Sequence, residues 1–329
     1  MRIVDAATTR RHLGFAALIE ALRAMFVDAG CEVPARGVHR IGGAGDEAGG
    51  TLLLMPAWRA GARLGVKTVT IFPGNAARGL PGLHSTYLLF DATTGVPLLQ
   101  LDGNEITSRR TAAAAALAAS FLARPEARRL LVLGTGRVAS LLPEALRCVR
   151  PIGPVQVWNH RAESARALAA TWRAAGIDAT ATDDLEAAVG HADIVSCATL
   201  ATAPLLRGAW LRDGMHLDLI GSFTPQMREA DADCFARSRV FVDTDEALAK
   251  AGDVRDAIAA GAFDASRLQG TLAQLCAGTR AGRTSDAERT LFKAVGSALE
   301  DLAAAELVAD ALARESLSST PSTAPPAAP

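Results

Sequence analysis

Two glycines and an alanine are spaced as a turn that can bind phosphate groups. The apolar run at residues 130–133 leads into Gly134-Thr-Gly-Arg-Val-Ala139, and a segment with helical spacing follows. Gly134 permits a tight turn, Gly136 lets the backbone approach a pyrophosphate, and Ala139 allows the helix to pack closely on the strand. Unpaired N–H groups at the start of that helix would bind the phosphates. Because the pattern stands between a predicted strand and a predicted helix, it indicates a dinucleotide site; the alternative is an ordinary strand-to-helix turn.

The residues that end the next predicted strand bear on which dinucleotide is bound. Residues 155–158 are followed by Asn159, His160 and Arg161. Enzymes that prefer NAD usually place Asp or Glu here, where the carboxylate binds the ribose 2′-hydroxyl. An amide followed by two potential cations suits a 2′-phosphate, so we expect NADPH in preference to NADH, with NADH use still open. The alternative is that His160 and Arg161 only begin a solvated helix.

Three basic side chains are candidates for binding an anion or moving a proton. Lys67 lies on the apolar face of a predicted strand at residues 64–72, and lysine is rarely buried without a partner. Arg110 stands near the start of an Ala-rich helix, where a cation opposes the helix dipole, so an anionic partner is expected. Arg36 lies in a predicted loop, and its position alone does not indicate an anion-binding role. The alternative is that Lys67 snorkels to solvent and Arg110 is an ordinary surface residue.

Strand-like runs without helices between them make up the first part of the chain. They follow a predicted amphipathic helix at residues 15–29, and residues 91–95 form a turn between the last two strands. Consecutive strands without helical crossovers favour a mostly antiparallel sheet. The predicted strands are residues 50–55, 64–72, 86–91 and 97–101.

Strands and helices alternate after a predicted Ala-rich helix at residues 111–123. This alternation is typical of a parallel sheet with helical crossovers. The predicted strands are residues 130–133, 155–158, 179–182, 194–198, 216–220 and 240–242. We therefore predict an α/β protein, with a Rossmann-type parallel-sheet domain and a smaller α+β domain whose sheet is mostly antiparallel.

The C-terminal part divides into a predicted helix and a tail. Residues 284–314 are predicted to be helical because apolar residues, Leu299 and Leu302 among them, recur at helical spacing. Residues 316–329 are nearly all Ser, Thr, Pro and Ala. Such a composition cannot bury a core, so we expect this tail to be disordered.

The composition excludes several classes of function. The formal net charge is −1, so no basic excess indicates a nucleic-acid or anionic-membrane partner. The 5 cysteines are scattered, which favours a reducing cytoplasm over a disulfide framework, and no cysteine or histidine cluster has zinc-ligand spacing. No apolar run reaches the roughly 20 residues of a membrane span, and no apolar signal core begins the chain. We therefore expect a cytoplasmic protein without a metal.

A series of short motifs runs from the first predicted strands to the C-terminal helix. They are Leu54-Met-Pro-Ala-Trp58, Gly65-Val-Lys67, Phe72-Pro-Gly-Asn75, Arg110-Thr-Ala-Ala113, Leu122-Ala-Arg-Pro125, Gly134-Thr-Gly136, Ala192-Asp-Ile-Val195, Gly282-Arg283, Thr290-Leu-Phe-Lys293 and Leu299-Glu-Asp-Leu302. In this order they resemble the ornithine cyclodeaminase/mu-crystallin family, and the resemblance covers most of the chain.

The resemblance implies a homodimer whose first domains pair through their sheets. It implies a substrate-binding and dimerisation domain made of residues 1–112 and 297–315, with the Rossmann domain at residues 113–296 inserted between them. A small 2-imino or 2-amino carboxylate would bind in the cleft between the domains.

The resemblance also implies roles for particular residues. Lys67 matches the active-site lysine of the family, Arg110 matches the arginine that binds the substrate carboxylate, and Arg36 matches a second carboxylate-binding arginine. The expected cofactor site comprises Thr111, Gly134, Thr135, Gly136, Arg137, Val138, Ala139, Asn159, His160, Arg161, Thr199, Leu200, Ile220 and Thr290.

One departure from the cyclodeaminases distinguishes among the reactions of the family. Those enzymes carry an acidic residue after the fifth Rossmann strand, where this chain has Phe223 in Gly221-Ser-Phe-Thr-Pro225. A phenyl ring cannot accept a proton or orient water. The longer string, which ends in Met-Arg-Glu229, resembles the bacterial Δ1-pyrroline-2-carboxylate reductases of the family, which reduce cyclic imines.

The expected reaction is hydride transfer from NADPH to C2 of a protonated cyclic imine, giving L-proline or, from a six-membered ring, L-pipecolate. Lys67 is the candidate proton donor, with its pKa lowered by two nearby arginines, and Thr224 is a weaker candidate. Three alternatives stay open. They are a cyclodeaminase-type lyase, an alanine dehydrogenase or opine-type oxidoreductase, and a protein that binds NADPH without turnover.

Overall fold

Strands from the first third of the chain form one sheet. The computed structural model describes residues 1–42 and 49–318. Along the chain the strands of this sheet are β1 (Arg2–Val4), β2 (Cys31–Glu32), β3 (Gly37–Ile41), β4 (Gly50–Arg59), β5 (Arg63–Ile71), β6 (Leu83–Asp91) and β7 (Pro97–Asp102). They lie in the order β1-β7-β6-β5-β4-β2, and β3 also pairs with β4. The β1–β7 pair is parallel and the other pairs are antiparallel, as predicted.

A second sheet is parallel throughout. Its strands are β8 (Leu130–Leu133), β9 (Val155–Trp158), β10 (Ala179–Ala181), β11 (Ile194–Cys197), β12 (His216–Leu219), β13 (Arg239–Val242), β14 (Gly270–Thr271) and β15 (Thr290–Lys293). Their order is β10-β9-β8-β11-β12-β15-β13-β14. The predicted fold class, α/β with one parallel sheet and one mostly antiparallel sheet, is therefore confirmed.

Helices cover the sheets and connect their strands. They are α1 (Ala6–His12), α2 (Phe15–Val27), α3 (Gly103–Leu122), α4 (Arg137–Arg147), α5 (Ala162–Ala174), α6 (Leu185–His191), α7 (Ala232–Ala236), α8 (Glu246–Lys250), α9 (Gly252–Ala259), α10 (Leu272–Cys276) and α11 (Ala298–Ser318). Among the residues described, no helix is both long and apolar enough to cross a membrane.

Helix α3 connects the two sheets and is largely buried. Its N-cap is Asp102, whose side chain accepts a hydrogen bond from the Glu105 N–H at 2.8 Å. The run of alanines that follows allows close packing, and α3 contacts α2, α4 and α11. The helix ends three residues before Pro125, as expected for a segment that precedes proline.

The prediction of helix throughout residues 284–314 was wrong in its first part. Strand β15 occupies residues 290–293, and α11 begins at Ala298. All residues of β15 are buried, since the strand lies between β12 and β13 with both faces covered. A strand of this kind has no polar alternation, so hydrophobic periodicity cannot distinguish it from a buried helix.

Helix α11 also extends into the predicted disordered tail. Residues 316–318 form its last turn, so they are not part of a disordered segment. Residues 319–329 lie outside the described residues.

Candidate active site

Lys67 lies in a row of buried side chains on the inner face of the first sheet. Met55 on β4 and Tyr87 on β6 are its cross-strand neighbours, and these three residues are at most 5% exposed. Gly65 leaves space for the Tyr87 ring, because a Cβ at position 65 would overlap the Tyr87 hydroxyl. A cation in apolar surroundings loses hydration, so burial lowers the pKa of Lys67 to about 8.

Asp301 on α11 joins the lysine to an arginine. Its Oδ2 lies 2.6 Å from Lys67 Nζ, and its Oδ1 accepts a hydrogen bond from Arg110 Nε at 2.9 Å. Burial alone would raise the pKa of Asp301, but the two cations hold it below its ordinary value. Asp301 in turn limits the lowering of the Lys67 pKa, whereas Arg110 adds to it. One buried carboxylate therefore fixes both basic groups.

Glu300, the neighbour of Asp301, makes the second contact to Arg110. Arg110 Nη1 donates to Glu300 Oε2 at 2.7 Å. Burial raises the pKa of Glu300 to about 7, although Arg110 opposes this shift. The expected anionic partner of Arg110 is thus present within the protein, and it leaves Arg110 Nη2 without a hydrogen bond from the described residues.

The loop after β15 places Arg36 beside Arg110. Arg36 Nη2 donates to the Gly296 carbonyl at 2.7 Å and lies 3.3 Å from Glu246 Oε2. Gly296 has a φ of +78°, and a Cβ on it would lie 2.6 Å from Arg110 Nη1, so both the backbone conformation and the space require glycine. The two guanidinium groups therefore flank one loop and line one cavity.

This cavity has a volume of about 380 Å³ and lies between the two sheets. Its walls come from β4 and β5, the first turns of α3, the turn before α4, and the loops that follow β11, β12 and β15. Lys67 and the glycine turn thus open on the same space. Apolar side chains line the side formed by the first sheet: Leu53, Met55, Val69, Ile71 and Leu83.

Most of the predicted site residues meet at this cavity. Those that line it are Arg36, Lys67, Arg110, Thr111, Gly136, Arg137, Val138, Thr199, Leu200 and Ile220. Asn159 lies next to the glycine turn, since its Nδ2 donates to Thr135 Oγ1 at 3.1 Å. His160 and Arg161 follow it at the carboxyl end of β9, with both residues exposed.

The glycine turn fits a pyrophosphate. Gly134 has a φ of +109°, and a Cβ on it would lie 2.6 Å from the Ala198 carbonyl oxygen. Apart from its own neighbours in the chain, no described residue has an atom within 4 Å of the Cβ position of Gly136, so the approach to the backbone there is open. Helix α4 begins at Arg137 without a side-chain cap, which leaves its first N–H groups free for an anion.

Thr290 and Thr224 belong neither to the cavity lining nor to the glycine turn and the residues beside it. Thr290 is the first residue of β15, at the opposite end of the parallel sheet from the glycine turn, and it is 1% exposed. Its hydroxyl donates to the Leu122 carbonyl at 2.9 Å and accepts from Arg283 Nη2 at 3.1 Å. Thr224 lies in a turn, and its carbonyl oxygen accepts hydrogen bonds from the Met227 and Gly252 N–H groups. Neither residue enters the function proposed below.

Sequence reasoning assigned no role to Glu300 and Asp301. Two acidic residues in the first turn of a helix are ordinary, since they complement the helix dipole. The available signal was two adjacent acidic residues at the start of an Ala- and Leu-rich helix, in a chain with two basic residues that lacked partners. Within the described ranges, no group of His, Cys, Asp and Glu side chains could hold a metal ion.

Comparison with known proteins gives a consistent result. The model of the ornithine cyclodeaminase/mu-crystallin family matches residues 5–316. The chain is 43% identical over 266 residues to Δ1-pyrroline-2-carboxylate reductase from Paracoccus denitrificans, covering 80% of this chain and 84% of the relative. It is 36% identical over 317 residues to the enzyme of that name from Colwellia psychrerythraea, covering 95% and 100%.

Solved structures agree over nearly the whole length. Δ1-pyrroline-2-carboxylate reductase from Thermococcus litoralis, solved with NADH and L-proline, has a TM-score of 0.89 at 29% identity, covering 96% of this chain and 98% of that one. An archaeal alanine dehydrogenase, solved as a dimer with bound NAD, has a TM-score of 0.87 at 28% identity, covering 95% and 96%.

Replacement of Asp301 by asparagine should destabilise the protein strongly. The variant leaves two buried cations with one carboxylate, and breaking a buried ion pair costs about 3–5 kcal/mol. Urea unfolding, followed by circular dichroism, measures the free energy of unfolding. Asp183→Asn is the control, since the Asp183 side chain is 76% exposed and 3.8 Å from Arg166, and it should stay near the wild-type value. Equal values for the two variants would contradict the role given to Asp301.

Proposed function

The chain belongs to the ornithine cyclodeaminase/mu-crystallin family, and we propose that it reduces the C=N bond of a small cyclic 2-imino carboxylate with a reduced nicotinamide cofactor. Δ1-Pyrroline-2-carboxylate would give L-proline, and the six-membered analogue would give L-pipecolate. The observation that carries the proposal is the contact of one carboxylate, Asp301, with both Lys67 and Arg110 beside a cavity that reaches the glycine turn. The relatives named as imine reductases support the same class, an oxidoreductase.

Arg110 and Arg36 would bind the substrate carboxylate. Arg110 keeps Nη2 free of hydrogen bonds from the described chain, and Arg36 uses only Nη2 in its contacts with Gly296 and Glu246. Planar guanidinium groups bind carboxylates through paired hydrogen bonds, which fix the orientation of the bound acid. Asp301 and Glu300 hold Arg110 still, so little side-chain freedom is lost on binding.

Lys67 would protonate the imine nitrogen. When bound, the reduced nicotinamide supplies the hydride that C2 of the imine accepts. An imine carbon becomes a good hydride acceptor only when its nitrogen carries a proton, and Lys67 is the lysine among the residues that line the cavity. A pKa of about 8 places this acid near neutral pH, where a proton donor works best. The lysine then recovers its proton from solvent.

The apolar wall favours a ring over a second charged group. The methylene groups of a cyclic imine would pack against Leu53, Met55, Val69 and Ile71. Phe223 also lines the cavity, at the position where the cyclodeaminases have an acidic residue. Without a carboxylate there to activate water, the loss of ammonia from ornithine is disfavoured, so reduction is the better-supported reaction.

The cofactor would lie with its phosphates at the glycine turn and its nicotinamide towards Lys67. Neighbouring structures contain NADH or NAD. We nevertheless propose a preference for NADPH in this chain, because Asn159 stands beside Thr135 at the end of β9 and is followed by His160 and Arg161. A 2′-phosphate would meet an amide and basic side chains there, and no carboxylate would repel it.

A second copy of the chain would cover the outer face of the first sheet. Two cross-strand rows on this face are apolar and partly exposed: Pro56, Val66 and Leu88, and Trp58, Leu64 and Phe90. They point away from Lys67 because side chains alternate along a strand. An apolar area of this extent on a sheet is typical of a protein–protein contact, and the archaeal alanine dehydrogenase was solved as a dimer.

The test of the reaction is oxidation of reduced cofactor, followed at 340 nm, with a panel of substrates. We expect turnover with Δ1-pyrroline-2-carboxylate, slower turnover with pyruvate and ammonia, and a higher kcat/KM with NADPH than with NADH. Chiral analysis should identify the product as L-proline. Ammonia release from L-ornithine without added reductant, together with no imine reduction, would contradict the proposal and favour the lyase.

The rate should depend on the protonation of Lys67. The ammonium form is the acid, so kcat/KM for the imine should be highest below pH 8 and fall as the pH rises through about 8. Lys67→Ala should lower kcat by about 100-fold or more while the dissociation constant of NADPH stays near normal, and added methylammonium should restore part of the rate. A variant with wild-type turnover would remove Lys67 from the mechanism.

Val66→Asp should separate the proposed dimer. A carboxylate in the middle of an apolar contact would lose its hydration, which costs several kcal/mol without a partner. Sedimentation equilibrium should give twice the chain mass for the wild type and the single mass for the variant. Thr93→Asp, in the exposed turn between β6 and β7, is the control and should remain dimeric. A wild-type chain that sediments as a monomer would exclude the homodimer.

A further inference from the structure

We propose that Glu229 is a positioning residue that fixes the two loops facing the nicotinamide end of the cofactor. The inference rests on the proposed function and concerns a residue with no place in the chemistry above. Glu229 lies in the segment before α7 and is fully buried. It does not line the cavity.

The Glu229 carboxylate joins the loops that follow two neighbouring strands. Oε1 accepts hydrogen bonds from the Thr199 N–H at 2.7 Å and the Thr199 hydroxyl at 2.8 Å, after β11. Oε2 accepts from the Gly221 N–H at 2.7 Å, after β12. Thr199 and Gly221 both line the cavity, whereas the carboxylate stands behind them. One side chain therefore sets the separation of two cavity walls.

The loops after β11 and β12 pack so closely that a small displacement of one would move the other. A Cβ on Gly221 would overlap both the Thr199 carbonyl oxygen and Glu229 Oε1. The absence of a side chain at position 221 is thus what allows the two loops and the carboxylate to share this space. Protein interiors of this density transmit a shift of one group to its neighbours.

A second carboxylate holds Glu229 itself and extends the network to a third loop. Asp253 Oδ1 accepts from the Glu229 N–H at 2.5 Å, and Asp253 Oδ2 lies 3.1 Å from Lys293 Nζ. Lys293 ends β15, and the residues after it carry the carbonyl that holds Arg36. Asp253 and Lys293 are at most 1% exposed. The three loops at the carboxyl edge of the sheet are therefore tied through buried charges.

The position of this network predicts which part of the cofactor it affects. The glycine turn and Asn159 lie at β8 and β9, and Glu229 makes no hydrogen bond to them within the described chain. Although the Thr199 loop also packs against Gly134, loss of the Glu229 contacts should therefore weaken binding of the nicotinamide half far more than binding of the adenosine half. A general loss of structure would weaken both halves.

The test is Glu229→Gln, measured by isothermal titration calorimetry with NADPH and with 2′-phospho-ADP-ribose, which lacks the nicotinamide. Glutamine keeps the size of the side chain but presents an NH₂ group to one of the N–H donors. We expect the dissociation constant of NADPH to rise about tenfold or more and that of the fragment to stay within about twofold of wild type. If the glutamine variant does not fold, Glu229→Asp takes its place, because aspartate keeps the charge but is too short to reach both loops. It should likewise weaken NADPH binding and leave binding of the fragment nearly unchanged.

Asp193→Asn is the matched control. Asp193 is also a buried carboxylate that accepts from two backbone N–H groups, those of Arg128 and Arg129, but at the amino end of β11. The Asp193→Asn variant should have a lower melting temperature and unchanged dissociation constants for NADPH and for the fragment. Equal weakening of NADPH and the fragment in the Glu229 variants, or no weakening, would overturn the inference. A wild-type chain that binds neither ligand would instead overturn the proposed function, and this inference with it.

Discussion

The site depends on the burial of one ammonium group. A lysine in a row of apolar side chains is unstable by itself, because the charged form loses its hydration. Asp301 compensates that loss at 2.6 Å, and the same carboxylate binds Arg110. The result is an acid weak enough to hold its proton below about pH 8 and strong enough to give it up near that pH.

The cavity combines two kinds of wall with different origins. The first sheet and α3 supply side chains, both apolar and basic, whose positions follow from strand register and helix spacing. The second sheet contributes the loops beyond the carboxyl ends of its strands, with the glycines Gly136, Gly221 and Gly296 among the lining residues. Loops by themselves do not fix the positions of their residues accurately. Here Glu229, a buried carboxylate outside the cavity, fixes two of them through hydrogen bonds.

Local features of the sequence were predicted well. The turn at Gly134 depends on residues close together in the chain, and its role is a backbone property that glycine alone supplies. Lys67 could be singled out because strand alternation placed a charge on an apolar face. Arg110 and Arg36 were also candidates, the family resemblance assigned both to a carboxylate, and they line one cavity with Lys67.

Features that depend on distant contacts were missed. Asp301 is 191 residues from Arg110, and its neighbours in the sequence do not identify Arg110 as its partner. β15 was taken for helix because a strand covered on both faces has no alternation. Thr290 was assigned to the cofactor from its motif alone, whereas its position at the amino end of β15 follows from strand direction, which only the sheet topology fixes.

The location of Asp301 has a consequence for synthesis of the chain on the ribosome. Strand β5 and helix α3 emerge early, yet the carboxylate that neutralises their basic groups lies on α11, the last helix described. Until that helix has left the exit tunnel, Lys67 on β5 and Arg110 on α3 lack this counter-charge, which disfavours the burial of both cations. Contacts of such long sequence separation also slow folding. We therefore expect the site to form only once α11 is available to pack against the first sheet and α3.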